Sequence, residues 1–94
     1  MIPREFTLAV YPNPFNPSTQ IQFTLPVEDI VTLHVYNLQG QLVRELLHGY
    51  RPTGKHAIRW DGRGDDGLAA ASGVYFMRLQ AGTATKVSKL TLVR

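Results

Sequence analysis

Four of the six prolines in this chain fall within Tyr11–Pro26, YPNPFNPSTQIQFTLP, and that stretch limits what the chain can become. Pro12, Pro14 and Pro17 each fix φ and lack an N–H donor. They also push Val10–Tyr11, Asn13 and Asn16 toward extended or turn geometry. No helix can form there, and no uninterrupted central strand. The stretch reads as a stiff, extended edge that delivers the chain into Thr19–Leu25. In that segment Ile21, Phe23 and Leu25 alternate with Gln20, Gln22 and Thr24, and Pro26 ends it. Alternation of this kind marks a strand with one wet face.

Further strand patterns follow at short intervals. Ile2–Val10 reads as a first strand with Phe6, Leu8 and Val10 on one face, and Pro3 at its start suits an edge. Ile30–Asn37 places Val31, Leu33 and Val35 opposite Thr32, His34 and Tyr36. Asn37–Gly40 is a turn signal, so Ile30–Leu47 predicts a β-hairpin. A helix competes over Leu42–Leu47, because Leu42, Val43, Leu46 and Leu47 also fit helical spacing. His48–Thr53 reads as a loop. Gly54–Trp60 turns His56, Ile58 and Trp60 to one side, and a lone tryptophan at a strand end belongs in the core with its N–H on a carbonyl. Gly73–Gln80 sets Tyr75, Met77 and Leu79 against Val74, Phe76 and Arg78. Tyr75 is placed to form a tyrosine corner. Ala84–Val93 is the last strand. About seven strands with regular turn signals predict an all-β, antiparallel β-sandwich with Phe23, Leu33, Val35, Ile58, Trp60 and Tyr75 or Phe76 inside.

The 94 residues suit one domain, residues 1–94. A hydrophobic content of 44% is enough for a core. There is no cysteine, so stability of about 5–14 kcal/mol must come from packing and pairing alone. No apolar run approaches the ~18 residues of a membrane helix. The net charge is +3, with the basic excess in residues 48–94. Those basic residues are dispersed and carry no interleaved stacking aromatics, so no nucleic acid is expected as a partner.

Signals for catalysis are poor. Ser18, Ser72 and Ser88 lack a nucleophile elbow. His34, His48 and His56 lack metal-ligand spacing, although His34 and His56 can meet across strands. Gly62-Arg-Gly64 precedes no helix. Asp61–Gly67, DGRGDDG, is open to three readings: a turn, a weak calcium site, or an integrin-type Arg63-Gly64-Asp65 tripeptide. The turn is favoured. Asn13-Pro14-Phe15 matches an endocytic adaptor peptide, but among turn prolines its role reads as structural. No catalytic residue, metal or cofactor is expected.

Four segments carry a family resemblance in order. They are Tyr11-Pro-Asn-Pro-Phe-Asn-Pro-Ser-Thr19 with Ile21–Pro26, Val31–Arg44, Gly54–Gly62, and Gly67 with Ala71–Leu79 and Lys86–Arg94. Together they resemble the C-terminal sorting domain of type IX secretion system cargo, which is similar to the immunoglobulin-like domain of flagellar hook-capping proteins. The resemblance implies an immunoglobulin-like fold and a non-catalytic sorting and cell-surface attachment role. It implies a domain cut from a larger secreted or cell-surface bacterial protein such as a hydrolase, peptidase or adhesin. The implied partners are an outer-membrane translocon, a sortase-like peptidase and anionic lipopolysaccharide. The positions matching the terminal signal are Gly73, Val74, Tyr75, Lys89 and Arg94, the last an arginine where lysine is frequent. A last strand lying at a sheet edge, over Lys86–Arg94, offers itself to strand addition. Two other classes compete: a carbohydrate-binding or adhesion sandwich, with Tyr11, Phe15, Tyr36, Tyr50 and Trp60 as candidate platform aromatics, and an immunoglobulin-like structural spacer.

Overall fold

The computed structural model describes residues 4–94. Seven strands pair as two antiparallel sheets: β1 (Thr7–Tyr11), β2 (Thr19–Leu25), β3 (Asp29–Tyr36), β4 (Leu42–Arg51), β5 (Gly54–Trp60), β6 (Gly73–Ala81) and β7 (Ala84–Leu92). The smaller sheet has the order β1-β2-β5 and the larger β4-β3-β6-β7. This is the antiparallel sandwich the alternating pattern predicts, with the immunoglobulin-like fold the family resemblance implies. Each strand turns one side chain in two toward the facing sheet, and the core is the sum of those inward sets. Ile21, Phe23, Val31, Leu33, Val35, Trp60, Met77, Leu79, Leu90 and Leu92 are all at most 1% exposed. Tyr75 is buried, and Phe76 turns outward. Ile58 is only half-buried against the core.

Two strand bounds differ from expectation, while Leu42–Leu47 is strand as the hairpin over Ile30–Leu47 predicts. The first strand begins at Thr7 and runs to Tyr11; Ile2 and Pro3 lie outside the described residues. His48–Arg51 is strand, continuing β4 with Gly49 opposite Val31 and Arg51 opposite Asp29. The helix-like spacing of Leu42–Leu47 has a different origin. The β3–β4 register shifts twice, between Leu33/His34 and between Val35/Tyr36. Each shift places one extra residue on β4, at Leu46 and Val43, and a bulge re-aims its residue. Both pack on the core beside Leu47.

The proline stretch is the largest departure from the simple extended edge. β1 pairs with β2 up to Tyr11↔Gln20. The intervening residues leave the smaller sheet and reach across to β7 of the larger one. Phe15 N–H donates to Thr91 C=O, and Val93 N–H donates to Phe15 C=O, both at 2.9 Å. Asn13 extends the ladder with its side chain: Nδ2 donates to Lys89 C=O at 2.9 Å and Oδ1 accepts from Thr91 N–H at 3.0 Å. The Phe15 ring enters the core at 2% exposure and meets Trp60 at a 5.5 Å centroid distance. Thr19 Oγ1 closes the base of the loop on Pro12 C=O at 2.7 Å. The Asn13-Pro14-Phe15 peptide is thus consumed by the fold.

The opposite edge of the larger sheet is closed in the same manner. Asp65 N–H donates to Val43 C=O at 2.8 Å, and the Asp65 carboxylate accepts from Glu45 N–H at 3.1 Å. Truncating Phe15 removes both its burial and the anchor of the cross-sheet ladder. Phe15→Ala should lower stability by about 3–5 kcal/mol, the range for a buried aromatic. Urea unfolding measures it, and a loss below about 1 kcal/mol would show that the ring is not part of the core.

Candidate functional site

The β6–β7 register sets Gly73 opposite Leu92, Val74 opposite Thr91, and Tyr75 opposite Leu90. Gly73, Val74, Tyr75 and Arg94 therefore meet at one end of the sandwich. Lys89 lies one step further in, opposite Phe76 and exposed.

Tyr75 is the tyrosine corner the sequence predicts. Its ring packs edge-on to Trp60 at 5.6 Å, and its hydroxyl donates to Ala71 C=O at 2.6 Å. Trp60 Nε1 donates to Arg63 C=O at 2.8 Å. These two bonds hang the 61–72 connection from the aromatic core.

Arg94 is more than a terminal charge. Its Nε donates to Ala70 C=O at 2.6 Å, its Nη2 to Gly62 C=O at 2.5 Å, and its backbone N–H to Ser72 Oγ at 2.9 Å. The planar fork of a guanidinium reaches two carbonyls at once, which an ammonium point charge does not reproduce. Gly62 is needed beneath it. Its φ is +76°, and a Cβ there would lie 2.6 Å from Pro17 C=O and 3.0 Å from Arg94 Nη2. The cluster Pro17–Gly62–Ala70–Arg94 thus joins the proline loop, the aspartate loop and the end of the last strand. Sequence reasoning found Arg94 but missed Gly62 and Ala70; the Asp61-Gly62 turn after Trp60 was the available signal.

The edge over Lys89–Val93 is covered by Asn13 and Phe15, so the last strand does not present its terminal half for strand addition. The outward backbone groups that remain are those of Thr85 and Val87. The Lys89 ammonium has no ion-pair partner among the described residues.

The aspartate loop is a structured turn. Asp61 accepts from Arg63 N–H at 3.1 Å, and Asp66 accepts from Leu68 N–H at 2.9 Å. Arg44 lies 3.5 Å from Asp61 and 3.8 Å from Asp65. Arg63 Nη1 donates to Gly67 C=O at 2.9 Å. Both charged ends of Arg63-Gly64-Asp65 are therefore engaged, Arg63 within the turn and Asp65 on β4. Among the described residues no three His, Asp or Glu side chains converge as a metal site.

The histidines do not meet. His34 faces outward on β3, where Nε2 contacts Glu45 at 2.8 Å and Nδ1 contacts the Tyr36 hydroxyl at 3.1 Å. Arg78 Nη2 donates to that hydroxyl at 2.8 Å. His56 belongs to the other sheet and stacks on Phe23 at 5.0 Å. The row of platform aromatics does not exist either. Phe15 and Trp60 are core residues, Tyr11 lies on β1, and Tyr36 and Tyr50 lie on the larger sheet. Tyr50 donates its hydroxyl to Glu28 at 2.5 Å. That bond, above all, holds its pKa above the usual 10.0.

An antiparallel sandwich of three and four strands, closed by a tyrosine corner and without a helix among the described residues, defines an immunoglobulin-like module. Residues 15–85 match the family of FlgD Ig-like domains, and the chain belongs to that family. No curated protein matches it significantly. Among solved structures it is similar to PorU in its dimeric latent form from Porphyromonas gingivalis (TM-score 0.73, 19% identity, 99% of this chain and 10% of that one). It is similar to PorZ, an essential bacterial surface component of the type IX secretion system of the same organism (TM-score 0.65, 22% identity, 93% and 11%). FlgD from P. aeruginosa gives a TM-score of 0.61 at 25% identity, over 79% of this chain and 57% of that one. The chain thus spans about a tenth of the PorU and PorZ chains.

Tyr75→Phe deletes the corner bond and leaves the ring in place. Stability should fall by about 1 kcal/mol in urea unfolding; an unchanged midpoint would exclude the corner as a stabilising contact. The raised pKa of Tyr50 has its own signature. The contact favours the neutral phenol, so its contribution is present at neutral pH and fades as pH rises through the raised value. Ultraviolet titration should show one of the four tyrosines ionising late, and Glu28→Ala, which removes the acceptor and its charge, should reduce the delay.

Proposed function

We propose that this chain is a non-catalytic sorting and attachment module of an exported bacterial protein, read by a type IX secretion machinery at the outer membrane. The observation that carries the reading is the gathering of Gly73, Val74, Tyr75 and Arg94 at one pinned end of the sandwich, with Lys89 exposed beside them. A receptor would then read side chains displayed by a folded domain. The fold shared with PorZ, itself a surface component of that secretion system, supports the same direction. The carboxylates of the 61–72 loop are engaged by backbone N–H groups and Arg44, as suits a structural turn. The proposed location is the cell surface or the medium. The translocon, a sortase-like peptidase and anionic lipopolysaccharide remain the partners of this proposal. The family match to FlgD Ig-like domains favours a second reading, a structural module within an extracellular assembly.

The geometry also dictates how to test sorting. Deleting Lys89–Arg94 would remove Leu90 and Leu92 from the core, and misfolding would then mimic loss of signal. Point substitutions at the exposed positions avoid this. A signal peptide and fluorescent reporter fused to residues 1–94 should reach the surface or medium of a type IX-competent bacterium and stay inside a translocon knockout. Lys89→Ala combined with Arg94→Ala should cut export at least about tenfold while circular dichroism still shows a folded sandwich. Reporter held in the periplasm of both strains, with the domain folded, would replace sorting by the structural-module reading.

A further inference from the structure

The two outer faces of the sandwich differ in how their polar groups are used. On the larger sheet several outward groups bond to one another, although Lys89 has no ion-pair partner among the described residues. Glu45, His34, Tyr36 and Arg78 form a continuous chain of contacts, and Tyr50 is bonded to Glu28. On the smaller sheet they do not. Pairing of β1 with β2 and of β2 with β5 arranges the outward residues as three rows across the strands. The first is Tyr11, Gln20 and Arg59. The second is Ala9, Gln22 and Ala57. The third is Thr7, Thr24 and Lys55.

Within this grid the two threonine hydroxyls contact each other at 2.5 Å, and Thr24 also donates to Glu5 C=O. The side chains of Tyr11, Gln20, Gln22, Lys55 and Arg59 hold no hydrogen bond or ion pair among the described residues. None of the nine positions carries a carboxylate. The neighbouring acids, Glu5 and Asp61, lie beyond the ends of the grid, and Asp61 is paired with Arg44 at 3.5 Å.

The middle row is short because Ala9 and Ala57 flank Gln22, so the face is hollowed along its centre. Two shallow depressions of about 430 and 240 Å³ lie on it, one at Tyr11–Gln20–Arg59 and one over Ala9, Gln22 and Ala57 beside Lys55. Arg59 and Lys55 are four residues apart on one strand, or ~13 Å, and the three strands span ~10 Å.

We infer that this face is a binding site for an extended acidic polysaccharide of the polyuronate type. The chemistry fits group by group. A guanidinium takes a carboxylate bidentately, and an ammonium takes another further along the polymer. Each Gln carboxamide offers a donor and an acceptor side by side, which is what vicinal sugar hydroxyls require. The Tyr11 ring, 80% exposed in the row of Gln20 and Arg59, is a flat apolar surface for one sugar face. Charge complementarity selects an acidic chain over a neutral one, since two cations face outward with no carboxylate among them.

The test is affinity electrophoresis of residues 1–94 through gels containing polygalacturonate, with dextran as the neutral control. Polygalacturonate should retard the protein, and dextran should not. Lys55→Gln with Arg59→Gln should weaken retardation at least about tenfold, the scale of two charged hydrogen bonds. Tyr11→Ala should weaken it about threefold. Lys86→Gln with Arg51→Gln removes the same charge from the other sheet and should leave retardation within about twofold. Equal losses in the two double variants would mean diffuse attraction to a basic protein and would overturn the site. Absence of retardation, or a single-stranded oligonucleotide displacing the polymer at lower concentration, would overturn it as well.

Discussion

The burial of Phe15 against Trp60 is the contact on which the rest of the sandwich depends. With no disulfide to join the sheets, closure falls to an aromatic series in which Phe15 comes from the β1–β2 loop, Trp60 from the end of β5 and Tyr75 from the start of β6. Seating Phe15 draws Asn13 and Pro14 along the edge of β7. Prolines at 12, 14 and 17, all exposed, suit that path, because each fixes φ and brings no backbone donor that needs a partner. The Phe15 N–H that is left finds Thr91 C=O. One ring thus fixes a loop, an edge and the path of the last strand.

Edge closure follows a common device at both sides of the larger sheet. Asn13 on β7 and Asp65 on β4 each use a short polar side chain where a neighbouring strand would offer backbone. An open sheet edge is a template for unwanted pairing, and these residues close it without adding a strand. Lys86 flanks the part of β7 that remains open, and lysine at an edge opposes association with another strand. The consequence for recognition is physical. With the terminal half of β7 already paired, a receptor that reads this end has side chains and loop surfaces to work with, chiefly Lys89 and the Arg94 cluster.

Much of the sandwich was legible because period-2 alternation is a direct image of burial. Val31, Leu33 and Val35, then Tyr75, Met77 and Leu79, fall inside as their spacing requires. The failures have distinct causes. Phe15 sits among turn residues, where local pattern says nothing of a cross-sheet contact 76 residues away. Bulges at Val43 and Leu46 broke the alternation of β4 and imitated a helical period, although the hairpin reading of Ile30–Leu47 holds. Gly49 and Pro52 made His48–Arg51 look like a loop, although the strand tolerates glycine opposite Val31. At the candidate site the sequence identified Tyr75 and Arg94 as residues. It did not reveal that the Arg94 guanidinium is held by Ala70 and Gly62 carbonyls, because backbone acceptors leave no trace in residue type.

The outer face of the smaller sheet was legible as strands but not as a surface, since its meaning lies in register between three segments. Its long polar side chains make no hydrogen bond or ion pair among the described residues, so the contacts of the fold do not account for their identities. Solubility accounts for them only in part, because a soluble face is served by charges of both signs. The grid instead pairs two cations, two carboxamides and an exposed phenol ring with no carboxylate at all. That imbalance, set against the bonded chain of Glu45, His34, Tyr36 and Arg78 on the opposite face, is what complementarity to an acidic, hydroxyl-rich polymer would require.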